Sequence, residues 1–189
     1  MADKSTLRKQ ALAQRKALSD SEFLAMNQLL LEQFKTLNFS EVKSIHAFLP
    51  IVKKREPDTF LMIDWLKETY PHIHIVVSRS NFEDHSMSHH LFSREDLKEN
   101  AYQILEPQTK TVFKDKIDMV LVPLLAFDRR GYRVGYGKGF YDRFLSEIET
   151  VKVGVSLFDI LQEEISDVHD NDIRLDLCIT PSGIIKIEI

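Results

Sequence analysis

The chain has 189 residues, 43% hydrophobic and 29% charged, which is enough to bury one good core and is the size of a single domain over residues 1–189. Its 25 basic and 29 acidic residues argue against a dominant nucleic-acid surface, and a lone cysteine, Cys178, excludes an intramolecular disulfide and a Cys-rich metal site. The opening MADKSTLRKQ lacks the apolar core of a signal segment, and the longest apolar run, Met119 to Phe127, is too short and proline-broken to span a bilayer; a cytoplasmic protein without a membrane partner is expected.

The first helix is predicted from Asp3 or Ser5 to Leu18, with Leu7, Ala11 and Leu18 on its buried side. Lys4 and Arg8, four residues apart, share a face, and Arg15 follows on nearly the same line. By spacing alone these charges form a solvated basic edge. Ser19-Asp20-Ser21-Glu22 reads as a capping box for a second helix ending near Lys35, with Phe23, Leu30, Leu31 and Phe34 as its apolar stripe.

Ser44 to Leu49 reads as the first strand, ended by Pro50, and Pro57 to Tyr70 as a helix too rich in apolar residues to be only half-buried; Trp65 is a packing residue there. Glu56, just ahead of this helix, suits its positive end. Strands follow at His72 to Val77 and Met87 to Phe92. His72 and His74 alternate with isoleucines, but zinc would need a third ligand at fixed spacing, and His85, His89 and His90 supply no such pattern. Glu106-Pro107 ends a short polar segment.

The densest stretch is Met119 to Leu145: an apolar strand turning at Pro123, a loop with Gly131, Gly135, Gly137 and Gly139, and a helix from about Phe140. Glycines permit close backbone approach, and a helix start suits an anion, so a phosphate site is expected. The loop is neither of the common nucleotide loops. A Walker loop would need Gly where Tyr132 stands and Ser or Thr where Gly139 stands, and the dinucleotide fingerprint fails at Phe140. Arg133, Lys138, Asp142 and several tyrosines in the same dozen residues weigh against a plain surface turn.

Downstream, Lys152 to Ser156 and Asp176 to Thr180 read as strands, Phe158 to Ile165 as a short helix or turn, and Ile184 to Ile189 as a strand adding an antiparallel edge after the Pro181-Ser182-Gly183 turn. Strands alternating with helices predict an α/β fold with a mainly parallel sheet covered on both faces, and ligands beyond the carboxyl ends of its strands.

The run from Pro123 to Asp142, with FDRRGYRVGYGKGFYD at its centre, resembles the signature of the 5-formyltetrahydrofolate cyclo-ligase family, also called methenyltetrahydrofolate synthetase. The likeness extends to Lys4, Leu7 and Arg8, to Glu56 with Asp58-Thr59, to Glu106-Pro107, and to His169-Asp170 and Leu177 to Thr180. It implies a three-layer α/β/α fold similar to that of phosphosugar isomerases and CoA-transferases. It also implies an ATP- and magnesium-dependent ring closure of 5-formyltetrahydrofolate, a small-molecule substrate, to 5,10-methenyltetrahydrofolate, ADP and phosphate.

By that resemblance Lys4, Arg8, Gly135, Tyr136, Gly137, Lys138, Gly139, Phe140, Tyr141 and Asp142 surround ATP. Lys138, Arg133 and Tyr141 are the catalytic candidates, Asp142 holds magnesium, and Glu56, Met87 and Tyr141 meet the folate. Arg15 has no counterpart in the resemblance. A monomer is expected, with a dimer as the alternative. Phe140 departs from the family's frequent Tyr, and Ser166 replaces a proline in FDILQEEISDVHD. Three other readings stand beside this one: a non-catalytic folate or nucleotide binder, an RNA- or phosphosugar-binding module using Arg129, Arg130 and Arg133, and a ligase for a different pterin or formamide.

Overall fold

A computed structural model describes residues 2–188 of the chain. Asp3 caps helix α1 (Lys4–Ala17) by accepting the Thr6 amide at 2.9 Å, as short polar side chains do at helix starts. Helix α2 (Asp20–Lys35) opens on the expected capping box: the Ser19 hydroxyl accepts the Glu22 amide at 3.2 Å, and the Glu22 carboxylate accepts the Ser19 amide at 2.8 Å.

The remaining elements are β1 (Ser44–His46), α3 (Thr59–Thr69), β2 (His74–Ser80), β3 (Met87–Leu91), β4 (Leu97–Glu99), β5 (Leu105–Pro107), β6 (Met119–Pro123), β7 (Ala126–Phe127), β8 (Arg133–Val134), α4 (Phe140–Ser146), β9 (Val151–Val155), β10 (Leu177–Thr180) and β11 (Gly183–Lys186). Seven strands form the central sheet in the order β11-β10-β9-β6-β1-β2-β3. Its five inner strands are parallel, and β3 and β11 close the edges antiparallel to their neighbours.

Strand β6 shows why the sheet is covered on both faces. Met119 and Leu121 pack with Leu30 and Phe34 of α2 and Ile63 and Leu66 of α3, while Val120 and Val122 pack with Phe144 and Leu145 of α4 and with Cys178. Strand side chains alternate between faces, so a run that is apolar at every position can be satisfied only between two layers. Trp65 is confirmed as packing, edge-on to Phe34 with ring centroids 5.8 Å apart. Among the described residues no helix is long and apolar enough to cross a membrane.

Helix α1 lies outside these layers, on a small cluster in which its Leu7 meets Ala126, Val134 and Ile165. That packing against the β7–β8 hairpin brings the basic line of α1 over the glycine loop.

Several expectations are corrected in detail. The first strand stops at His46, though the Ala47 amide still donates to the Val76 carbonyl at 2.8 Å. Strand β2 is shifted toward the carboxyl side of its predicted position, leaving His72 before the strand, so the supposed pair of aligned histidines does not form. Glu106-Pro107 belongs to the β4–β5 ladder, where an edge strand tolerates a proline that cannot donate. Phe158 to Ile165 forms no helix. The hairpin β7–β8 was not anticipated; its two-residue strands are too short to show a period of alternation.

Candidate functional site

The glycine loop leaves β8 and turns into α4 beyond the carboxyl end of β6. Gly137 has φ +84°, a left-handed conformation that other residues adopt only under strain, and a Cβ there would meet the Arg8 guanidinium at 3.2 Å. Gly139, at φ +71°, caps α4. The loop is therefore glycine-rich for two reasons, handedness and the close approach of α1. Helix α4 has only 7 residues, so fixed charges around the loop, more than a helix dipole, make the place attractive to an anion.

Those charges come from distant parts of the chain. Arg8 donates through Nε to the Gly135 carbonyl at 2.8 Å, and Lys4 forms an ion pair with Asp172. The reading of α1's basic residues as a solvated edge is thus overturned. Arg133 is buried, its side chain 6% exposed; Nη2 pairs with Asp142 Oδ1 at 2.7 Å, and Nη1 donates to the Ile173 carbonyl. Asp142 Oδ1 also accepts the Ile173 amide at 3.1 Å. Lys138 is exposed on the loop. The surface patch proposed for Arg129, Arg130 and Arg133 does not survive, because Arg133 is buried and Arg130 pairs with Asp128 at 2.8 Å and Glu164 at 3.4 Å.

Beside the loop, Glu56 is 4% exposed and accepts the Ile51 amide at 2.6 Å through Oε2. Burial pushes its carboxyl up; the Ile51 amide, Tyr136, Arg15 and Lys54 pull it part of the way back. The Tyr136 ring lies under the Lys54 ammonium at 3.9 Å. Burial raises the Tyr136 and Tyr141 hydroxyls, and the Glu56 charge raises both further. Phe140 packs with Phe82 and His85, at 5.4 Å from each ring. Met87 packs, as Tyr141 does, against the apolar cluster that holds Val122 and Phe144. It lines a cleft of about 560 Å³ with His89, Phe113, Ile117, Phe144 and Ile148, and no glycine-loop residue borders it.

Two buried polar residues were missed. Arg15, set aside at the end of the basic line, is among the most buried side chains of the protein. His46 sits inside the sheet, its Nε2 2.5 Å from the Ser78 hydroxyl, which in turn lies 3.4 Å from His89 Nδ1. The Tyr141 ring meets His46 edge-on at 5.9 Å. The signals existed, a third basic residue in line and a histidine inside an apolar strand, but neither specifies burial.

Burial, reinforced by His89, holds His46 well below its ordinary value, and burial with His90 brings His89 from 6.5 to about 4. Both imidazoles are neutral in the fold, whereas the unfolded chain takes up protons below about pH 6.5. Stability is therefore expected to be intact above that pH and to fall as pH drops toward 4. The urea midpoint should be lower at pH 5 than at pH 7.5, with a smaller drop in His89→Met. An unchanged drop in that variant would assign the effect elsewhere.

Comparison with known proteins gives one consistent match. The model of the 5-formyltetrahydrofolate cyclo-ligase family covers residues 1–181. A 5-formyltetrahydrofolate cyclo-ligase of Mycoplasma pneumoniae is 27% identical over 187 residues, covering 94% of this chain and 98% of the relative. The mitochondrial enzyme of that name from Arabidopsis thaliana is 34% identical over 119 residues, 52% of this chain and 43% of its own. The solved structure of a 5,10-methenyltetrahydrofolate synthetase from Aquifex aeolicus superposes with a TM-score of 0.82 at 28% identity, covering 98% of this chain and 93% of that one.

Proposed function

This chain belongs to the 5-formyltetrahydrofolate cyclo-ligase family, and from that premise we propose how its residues carry out the ATP-dependent closure of 5-formyltetrahydrofolate to 5,10-methenyltetrahydrofolate. A formamide oxygen is a poor leaving group, so direct attack by N10 would stall. Transfer of the ATP γ-phosphoryl group to that oxygen gives an iminium-like phosphate; N10 then attacks the formyl carbon, and the carbon–oxygen bond breaks to release phosphate. The protein's part is positioning and charge placement around the transferred group.

The observation that carries this assignment is the Arg8 to Gly135 hydrogen bond, which seats the basic face of α1 on the glycine loop. Backbone N–H groups of Gly135, Gly137 and Gly139 approach the phosphates, and Lys138, Lys4, Arg8 and Arg133 balance charge on the oxygens during transfer. Tyr136, Phe140 and Tyr141 border the nucleotide, with Tyr141 reaching toward the folate; Glu56 and Met87 take the folate side.

Among the described residues no group of three or more His, Cys, Asp or Glu side chains could hold a metal. A single carboxylate, Asp142, fits the habit of magnesium, which binds through one or two carboxylates together with phosphate oxygens and water. Magnesium held there would neutralise phosphate charge. One domain holds the whole site, and the reading implies a cytoplasmic enzyme with no nucleic-acid partner.

The test is growth of the near-ultraviolet methenyl absorbance on mixing purified protein with 5-formyltetrahydrofolate. Absorbance should rise only when both ATP and magnesium are present. A silent protein that still binds nucleotide and folate would point instead to a storage or sensing role.

A further inference from the structure

A carboxylate as deeply buried as Glu56 is costly to ionise unless opposite charge or hydrogen-bond donors are aimed at it. A buried cation, Arg15, 2% exposed, enters from the last turn of α1 and is linked to this region through Tyr136, whose hydroxyl it meets. Its Nη2 donates to the Leu124 carbonyl at 2.5 Å and its Nη1 to the Tyr136 hydroxyl at 3.2 Å. Its Nε, equally buried, has no hydrogen-bond partner. Buried donors are rarely left so, and an arginine held among glycine-loop and β6–β7 atoms does nothing for the core that a methionine would not do better.

We propose that Arg15 is the positioning residue of the folate end of the site. Its guanidinium, anchored on the Leu124 carbonyl, fixes the Tyr136 hydroxyl and adds a buried positive charge that favours the ionised form of Glu56. An ionised Glu56 accepts two N–H bonds from the amino-pyrimidinone edge of the pterin, where a neutral one would oppose a donor with a donor. The inference rests on the reading that Glu56 meets the pterin.

The groups facing Glu56 are Arg15 from α1, Lys54 and the Ile51 amide from the chain ahead of α3, Tyr136 from the loop and Tyr141 from α4. Lys54 is exposed and its ammonium sits on the Tyr136 ring, so solvent screens it and Arg15 remains the buried partner. Arg15 pulls the Glu56 carboxyl down; without it that carboxyl rises, and the pH below which folate binding fails moves up.

The experiment compares Arg15→Gln, Arg15→Lys and Glu56→Gln with wild type, following kcat and the KM of each substrate from pH 5.5 to 8.5 with thermal melting as control. Arg15→Gln should raise the folate KM roughly tenfold, leave the ATP KM within about twofold, and move the acid limb of kcat/KM to higher pH. Arg15→Lys keeps the charge and should leave that limb in place. Glu56→Gln should remove the limb, and adding either Arg15 change to it should cost little more.

The proposal is overturned if Arg15→Gln melts like wild type with limb and folate KM unmoved, or if the KM values of ATP and folate rise together without a pH shift. If Arg15→Gln does not fold, Arg15→Met takes its place in the cycle with Glu56→Gln, and additive losses overturn the proposal. Should wild type show no turnover, the cyclo-ligase reading falls, while calorimetric folate affinity of the same variants across pH still tests Arg15 separately.

Discussion

Replacing Lys138 with alanine is expected to lower kcat/KM for the ATP-dependent ring closure by about 10²- to 10³-fold, the range for loss of one preorganised donor to a developing negative charge. The side chain is exposed, lies between two glycines in left-handed conformations, and faces the same loop that Arg8 grips. Nothing in the core depends on it; its carbonyl, not its ammonium, accepts Arg143 Nη1 at 3.3 Å. Melting should therefore stay near wild type, since exposed substitutions away from special features change stability by roughly 0.5 kcal/mol or less. Loss of rate with unchanged melting isolates the phosphate role. A variant within a few-fold of wild-type activity would remove Lys138 from that role and leave the loop as a backbone cradle.

Arg133→Met is expected to act first on stability. The guanidinium is buried and ties three separate pieces together: the β7–β8 hairpin that carries it, α4 through Asp142, and the 173 segment through the Ile173 carbonyl. Burial makes its charge costly, while Asp142 beside it favours the charged form. Removing the cation leaves the Asp142 carboxylate with the Ile173 amide on its Oδ1 and the Ile173 carbonyl without its donor. Breaking a buried pair from one side costs roughly 3–5 kcal/mol. For a chain of this size that corresponds to a melting temperature lower by about 6–20 °C. Activity should vanish with it, because Asp142 and the start of α4 lose their anchor. A variant melting within about 2 °C of wild type, with activity lost, would show that Arg133 serves catalysis without supporting the fold.

The parts of the fold that were readable have local causes. The capping box at Ser19 and Glu22 acts over three residues, and β6 declares itself by apolar residues at every position. The glycine loop was legible because left-handed turns and close backbone contact demand glycine at Gly137 and Gly139 wherever the chain goes next. With Lys4, Arg8, Lys138 and Asp142 around it, that stretch carried the family resemblance, and the match over residues 1–181 agrees with it.

What the sequence determined by itself was therefore helices α1 to α4, the strands of the two-sided sheet and the glycine loop that carries the family resemblance, each encoded within a few neighbouring residues. The tertiary structure alone decided the partners. Asp172 meets Lys4 across 168 positions of chain, and Arg15 reaches Leu124 across 109. Whether a basic residue on a helix is solvated or buried depends on what packs over it, and no spacing along α1 specifies that the β7–β8 hairpin would. The same holds for His46 and Ser78, brought together by strand order in the sheet. Periodicity assigns a side chain to a face; packing decides whether that face is wet, and with it the charge and the chemistry of the residue.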